Sequence, residues 1–126
     1  LFDSADTAIA SLEVLGAMLP RLRFDPRRMR EASRGLLLAT ELADYLVEKG
    51  VPFREAHGIV GAVVRHCLKE GKDFDNLGLT ELRAFSNRFD RNVFSRLTPE
   101  SAIRRRQAPG GTSRANVERR LGKIGV

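Results

Sequence analysis

This sequence of 126 residues has one cysteine, one tyrosine and no tryptophan. With Cys67 alone, no intrachain disulfide can form, and a single thiol suits a reducing, cytoplasmic setting. No apolar run approaches the roughly 18 residues that a membrane-spanning helix needs. The N-terminus has no basic segment followed by an apolar one, so no secretory signal is read there. Aromatic residues make up only 6%, which leaves little on which nucleobases could stack. Alternation of period two is also missing, which excludes a sheet of half-buried strands.

What is present is helical patterning with a substantial apolar fraction. Apolar residues make up 42% and charged ones 30%, a globular rather than disordered composition. We expect an all-α chain: one long bundle helix in residues 1–23, then a small multi-helix C-terminal domain in residues 24–126. The chain opens LFDSADT, without an initiator Met, and enters a helical pattern almost at once. That predicts a fragment of a longer polypeptide.

In the first segment Leu1, Ala5, Ala8, Leu12, Leu15, Leu19 and Leu22 alternate spacings of four and three. Such a seam is used in helix bundles. Ile9, Val14, Ala17 and Met18 add apolar surface beside it, so this helix wants more than one neighbour. Asp3 or Ser4 is the expected cap, and Pro20 should kink or end the helix. Asp25-Pro26 then reads as a cap and first-turn proline, opening a short basic helix that Ser33-Arg34-Gly35 breaks. Leu36, Leu37 and Leu38 cannot share one face, so this linker should be buried on several sides.

The stretch from Thr40 to Gly61 organises the rest. Thr40 is the expected N-cap of a helix carrying Leu42, Ala43, Leu46 and Val47 inward. Gly50 suits a left-handed helix end, and Pro52 the first turn of the next helix. Phe53, Ala56, Val60, Val63, Val64 and Cys67 give that helix one apolar face, and Gly71 closes it. Thr80 is the expected cap of a helix with Leu82 and Phe85. Asp90 or Asn92 should open a turn with Val93, Phe94 and Leu97. Thr98-Pro99-Glu100 is a cap plus proline, and Thr112 or Ser113 should cap a last helix with Val117, Leu121 and Ile124 inward.

The candidate chemistry is thin. His57 and His66 are nine residues apart on one helix, which puts them on opposite faces, where they cannot share a metal. Cys67 lies on the apolar side and reads as a packed core thiol. Residues 109–113 precede a helix as an anion-binding loop does, but they lack the lysine of a phosphate loop and a preceding strand. A plain tight turn is preferred. Glu41, Asp44 and Glu48 line one helix face, and with Lys49 and Arg54 nearby a solvated face is the expected reading.

The net charge is +6. The basic excess sits in residues 82–126, with Arg104, Arg105 and Arg106 adjacent and Arg114, Arg119 and Arg120 beyond. That asymmetry makes a basic helical module binding nucleic acid through residues 82–126 the alternative reading. Three adjacent arginines point in different directions, so a solvated surface, or pairing with acidic residues of absent partners, is preferred. No self-contained catalytic constellation is found, and no catalytic, cofactor or metal-binding residue is assigned.

The run from Ala39 to Gly61, ATELADYLVEKGVPFREAHGIVG, resembles the C-terminal region of argininosuccinate lyase, of the aspartase/fumarase superfamily. Lys49 to His57 is its most specific part. Leu1 to Ser4 with Asp6-Thr7, Met29 to Ala32, Leu79 to Leu82, Phe85-Ser86 and Gly110 to Thr112 match in order, so the resemblance covers essentially the whole chain. It implies a carbon–nitrogen lyase of arginine biosynthesis that cleaves argininosuccinate to arginine and fumarate by β-elimination, without metal or organic cofactor. It also implies a homotetramer whose sites take residues from three subunits. The family's serine base, on a mobile loop with a GSSxMPxKxN signature, and its assisting histidine have no counterpart in this sequence. His57 and Ser86 do not take those roles. The resemblance thus implies a structural fragment, inactive alone, with the substrate-contacting residues upstream of Leu1.

Overall fold

The computed structural model describes residues 2–125. Seven α-helices follow one another, and no strand occurs among the described residues. They are α1 (Phe2–Met18), α2 (Pro26–Ala32), α3 (Ala39–Glu48), α4 (Phe53–Glu70), α5 (Leu79–Phe85), α6 (Pro99–Arg105) and α7 (Arg114–Lys123). Short 3-10 turns join several of them. The all-α expectation holds.

The centre is the α3–α4 hairpin. Gly50, at φ +86°, turns the chain where a side chain would be strained. Its amide donates to the Val47 carbonyl at 2.9 Å, and the Val51 amide to Leu46 at 3.0 Å, so two carbonyls left over at the end of α3 are satisfied. The corner lays Leu42, Ala43, Tyr45 and Leu46 of α3 against Ala56, Val60, Val63 and Cys67 of α4. Phe74, Leu77, Leu82, Phe89, Val93 and Leu97 complete one continuous core. Fully burying each large apolar side chain contributes about 1.5–3 kcal/mol, so this cluster dominates the stability of the domain. Tyr45 and Phe89 stack with ring centroids 6.1 Å apart.

α1 is different. Every residue from Asp3 to Arg34 is exposed, including Leu12, Leu15, Leu19 and Leu22 of the apolar seam. None of the described residues covers that seam, and Leu1 lies outside them. The helix passes at Leu19–Arg21 into a 3-10 turn around Pro20, as proline predicts.

Several expectations about helix ends are corrected. Asp3 and Ser4 sit inside the first turn of α1, which begins at Phe2. Thr40 lies inside α3, whose N-cap is Leu38, and makes no cap bond. Thr80 lies inside α5; the amide of Gly78 is met instead by the Glu81 carboxylate at 2.9 Å. Pro52 is the N-cap of α4 rather than its first residue. The caps at Asp25, Asp90 and Thr98 form as expected, each accepting from backbone amides of the following turn.

Burial also departs from the pattern at the edges. Leu37 is 72% exposed while Leu38 is buried, because the 3-10 turn sends successive side chains to different sides. Val47 and Phe53, on either side of the Gly50 corner, stand outside the core. Val117, Leu121 and Ile124 of α7 are exposed, since α7 buries no residue against the rest of the chain.

Candidate functional site

The densest polar constellation is built on the α3 face that carries Glu41, Asp44 and Glu48. Their spacing of three and four residues stacks them along the helix. They are not a solvated face. Glu41 is 2% exposed, and three arginines from the C-terminal half of the chain converge on the row. Arg106 reaches Glu41 Oε1 at 2.6 Å and Asp44 at 3.5 Å. Arg105 pairs with Glu48 and stands 3.4 Å from Glu41 Oε2. Arg96 makes a two-pronged contact with Glu48.

Two of the three adjacent arginines therefore do not await absent partners, while Arg104 stays exposed. Arg105 and Arg106 close onto one acidic face of their own chain. Thr98 and Pro99 start α6 at the point that brings its C-terminal end over α3. The hydrogen bond from Arg105 to Glu48 holds that guanidinium protonated even more firmly than usual. Three carboxylates facing three arginines neutralise one another, which is what permits Glu41 to be buried. Glu41 Oε2 stands at ion-pair distance from Arg105 but accepts no hydrogen bond.

Chemically, this arrangement fastens rather than reacts. A carboxylate held by one or two guanidinium groups is a poor general base, and arginine does not give up its proton. The other candidates are scattered. His57 is exposed on α4 and packs beside Phe53, with ring centroids 6.2 Å apart. His66 faces the other way, 3.8 Å from Glu81 and against the Phe85 ring. Cys67 is fully buried, and burial pushes its thiol up, with Asp73 and Glu81 adding to the shift. Ser86 accepts a bond from the Arg88 amide and faces no base. Among the described residues, no three His, Cys, Asp or Glu side chains converge on one point.

The loop at 109–113 is a turn. The Gly111 amide donates to the Ala108 carbonyl at 2.8 Å, inside the loop. The carbonyls of Arg106, Gln107 and Ala108 gather around the Asn116 side-chain amide. Converging carbonyls present negative potential, the wrong sign for a phosphate.

Two clusters have no signature in the sequence. Lys49 Nζ lies 2.7 Å from Asp90, whose carboxylate also accepts from the Asn92 amide, and the Tyr45 hydroxyl accepts from the Asp90 amide at 3.3 Å. The bond from Lys49, then that from Asn92, hold the Asp90 carboxyl down at about 2. Asp90 in turn raises Lys49, while burial followed by Asp90 raises Tyr45. Glu81 is lowered first by the Gly78 amide and then by Lys72, 2.7 Å away. The ties of Asp90 to Lys49 and Tyr45 span 41 and 45 residues, which no local spacing rule detects.

Comparison with known proteins places the chain in a family. Residues 36–104 match the family described as argininosuccinate lyase C-terminal. The chain is 45% identical over 124 residues to the argininosuccinate lyase of Desulfatibacillum aliphaticivorans, covering 98% of this chain and 27% of that protein. To that of Moorella thermoacetica it is 49% identical over 112 residues, covering 88% of this chain and 24% of that protein. The chain thus spans about a quarter of the length of the curated relatives it matches. With identity at this level along nearly all its residues, the chain belongs to the argininosuccinate lyase family and corresponds to its C-terminal region.

Proposed function

We propose that this chain is the C-terminal part of an argininosuccinate lyase, a carbon–nitrogen lyase that cleaves argininosuccinate to arginine and fumarate in cytoplasmic arginine biosynthesis. The observation that carries this reading is identity of 45% over 98% of the chain to a protein of that name. In the reaction a base removes a proton next to a carboxylate. The carbanion is stabilised, and a general acid assists loss of the guanidino group. No metal or organic cofactor takes part.

The chain's own contribution is architectural. Residues 1–23 act as the last helix of a central bundle, and residues 24–126 as the C-terminal domain at its end. Ile9, Leu12, Leu15 and Leu19 lie exposed along α1, an apolar surface suited to burial by neighbouring helices of a homotetramer. The neutralised carboxylates of α3 and the scattered histidines supply no base–acid pair, in keeping with catalytic residues carried upstream of this segment. The chain alone is therefore inactive.

The nucleic-acid reading of residues 82–126 is less well supported. Arg96, Arg105 and Arg106 are engaged by α3, Arg114 by Glu118, and Arg83 by the Phe89 carbonyl.

Fumarate release, followed by ultraviolet absorbance, tests the proposal. The chain alone should be silent, and refolding with the upstream segment should produce activity. Activity of the chain alone would overturn its structural role. Silence of a correctly assembled mixture would overturn the lyase assignment.

A further inference from the structure

Apolar burial holds the chain firmly as far as Leu97 and then thins to Pro99 and the partly buried Ala102. Beyond Leu97, only Pro99, Ser101 and Ser113 are buried among the described residues. Ile103, Val117, Leu121 and Ile124 face outward. Apart from Pro99 and Ala102, what keeps α6 and α7 in place is polar, and Arg106 is its centre. Its guanidinium holds Glu41 and Asp44, while its carbonyl accepts from the Ser113 amide at 3.2 Å and from Asn116 Nδ2 at 3.4 Å. Gly111 packs so close to that carbonyl that a β-carbon would fall 2.2 Å from it. Arg105 adds its contacts to Glu48 and Glu41, and Arg30 of α2 pairs with Glu100 at the root of α6.

From this distribution we infer that residues 102–124 form a strap, rooted at Pro99 and Ser101 and fastened to α3 by charge, which opens as a unit while the α3–α4 core stays folded. A buried carboxylate is most costly when it is left covered without partners. Opening returns Glu41, Arg105 and Arg106 to water together, so no charge is stranded and little apolar surface is newly exposed. Segments that open separately from the global transition are those with few buried apolar contacts. The rim of the fastening is open to ions: the side chains of Asp44, Glu48 and Arg106 are 33%, 44% and 43% exposed. Raising salt from about 0.1 M to about 1 M shortens the screening length from about 10 Å to about 3 Å, which weakens that rim.

Amide hydrogen exchange read by mass spectrometry on the 126-residue chain tests the strap directly, without reference to any activity. At about 1 M salt, amides of α6 and α7 should exchange roughly tenfold faster than at 0.1 M, the scale of one charge-assisted hydrogen bond lost, while Ala56 to Cys67 keep their rates. Glu41→Gln should do the same at low salt. If burying an amide there stops the chain folding, Asp44→Asn and Arg106→Gln weaken the exposed rim instead. Asn116→Ala should free α7 and leave α6 protected. Two results would overturn the strap: α6 and α7 indifferent to salt and to these substitutions, or α4 accelerating in step with them.

Discussion

Gly35 lies flat against the carboxylate of Asp73: a β-carbon at Gly35 would fall 1.9 Å from Asp73 Oδ2 and 2.4 Å from its Cγ. Gly35 also has φ +66°, where an L side chain is strained. The carboxylate cannot simply swing away. Its Oδ1 accepts from the Phe74 amide at 2.8 Å and so holds the turn that delivers Phe74, 1% exposed, to the core. Gly35→Ala should therefore destabilise the chain by about 1–3 kcal/mol, read from urea midpoints at unchanged slope. Adding Asp73→Ala should cost less in that background than alone, because clash and cap share one partner. A midpoint unmoved by Gly35→Ala would show that this linker reshapes freely.

The Lys49–Asp90 pair predicts a pH dependence with a definite sign. The Asp90 carboxyl is held at about 2, below its ordinary 3.8. A group whose folded value is depressed contributes stability that is present above its unfolded value and lost as pH falls through the folded one. Lys49 is raised, so its share persists below its ordinary 10.5 and is lost only at still higher pH. Lys49→Met should thus lower stability by a constant amount across neutral pH. The gap between variant and parent should close as pH drops from about 4 towards about 2, in thermal melts at each pH. Because both partners are substantially exposed, added salt should shrink the gap as well. A gap independent of pH would mean that Lys49 matters only for packing over the Tyr45 ring, 5.5 Å away.

What could be read in the sequence followed the range of each signal. The α3–α4 hairpin was legible because its apolar spacing, Gly50 and Pro52 are all local. The Asp25, Asp90 and Thr98 caps were legible because each stands where a polar residue precedes a first turn that needs it. Glu41 misled because its i, i+3, i+7 row with Asp44 and Glu48 looks the same whether water or arginine faces it. Only the path of residues 98–106 decides that, 65 residues later. The outward face of α7 failed for the opposite reason. Val117, Leu121 and Ile124 have an inward-looking spacing, but spacing shows that a face exists and not that this chain covers it. The placing of the two histidines on different sides of α4 was legible in their spacing of nine: His57 lies beside Phe53 and His66 against Phe85.

Two threonines that look equivalent in sequence should behave differently. Thr98 has extended backbone, and its Oγ1 accepts from the Ser101 amide at 3.2 Å, satisfying an orphan donor of α6. Thr40 precedes an equally convincing apolar run, but it already lies within α3 and its side chain is exposed without a cap bond. Thr98→Ala should cost about 1 kcal/mol, the usual loss of an N-cap. Thr40→Ala should change stability by no more than about 0.5 kcal/mol, with a bias towards gain because alanine is the better helix former. Urea unfolding of the two variants side by side measures the difference. Equal losses would move the N-cap of α3 two residues along, from Leu38 to Thr40, and restore the cap that the sequence suggests. A loss at Thr98 alone confirms that α6 begins where it must for Arg105 and Arg106 to reach Glu41.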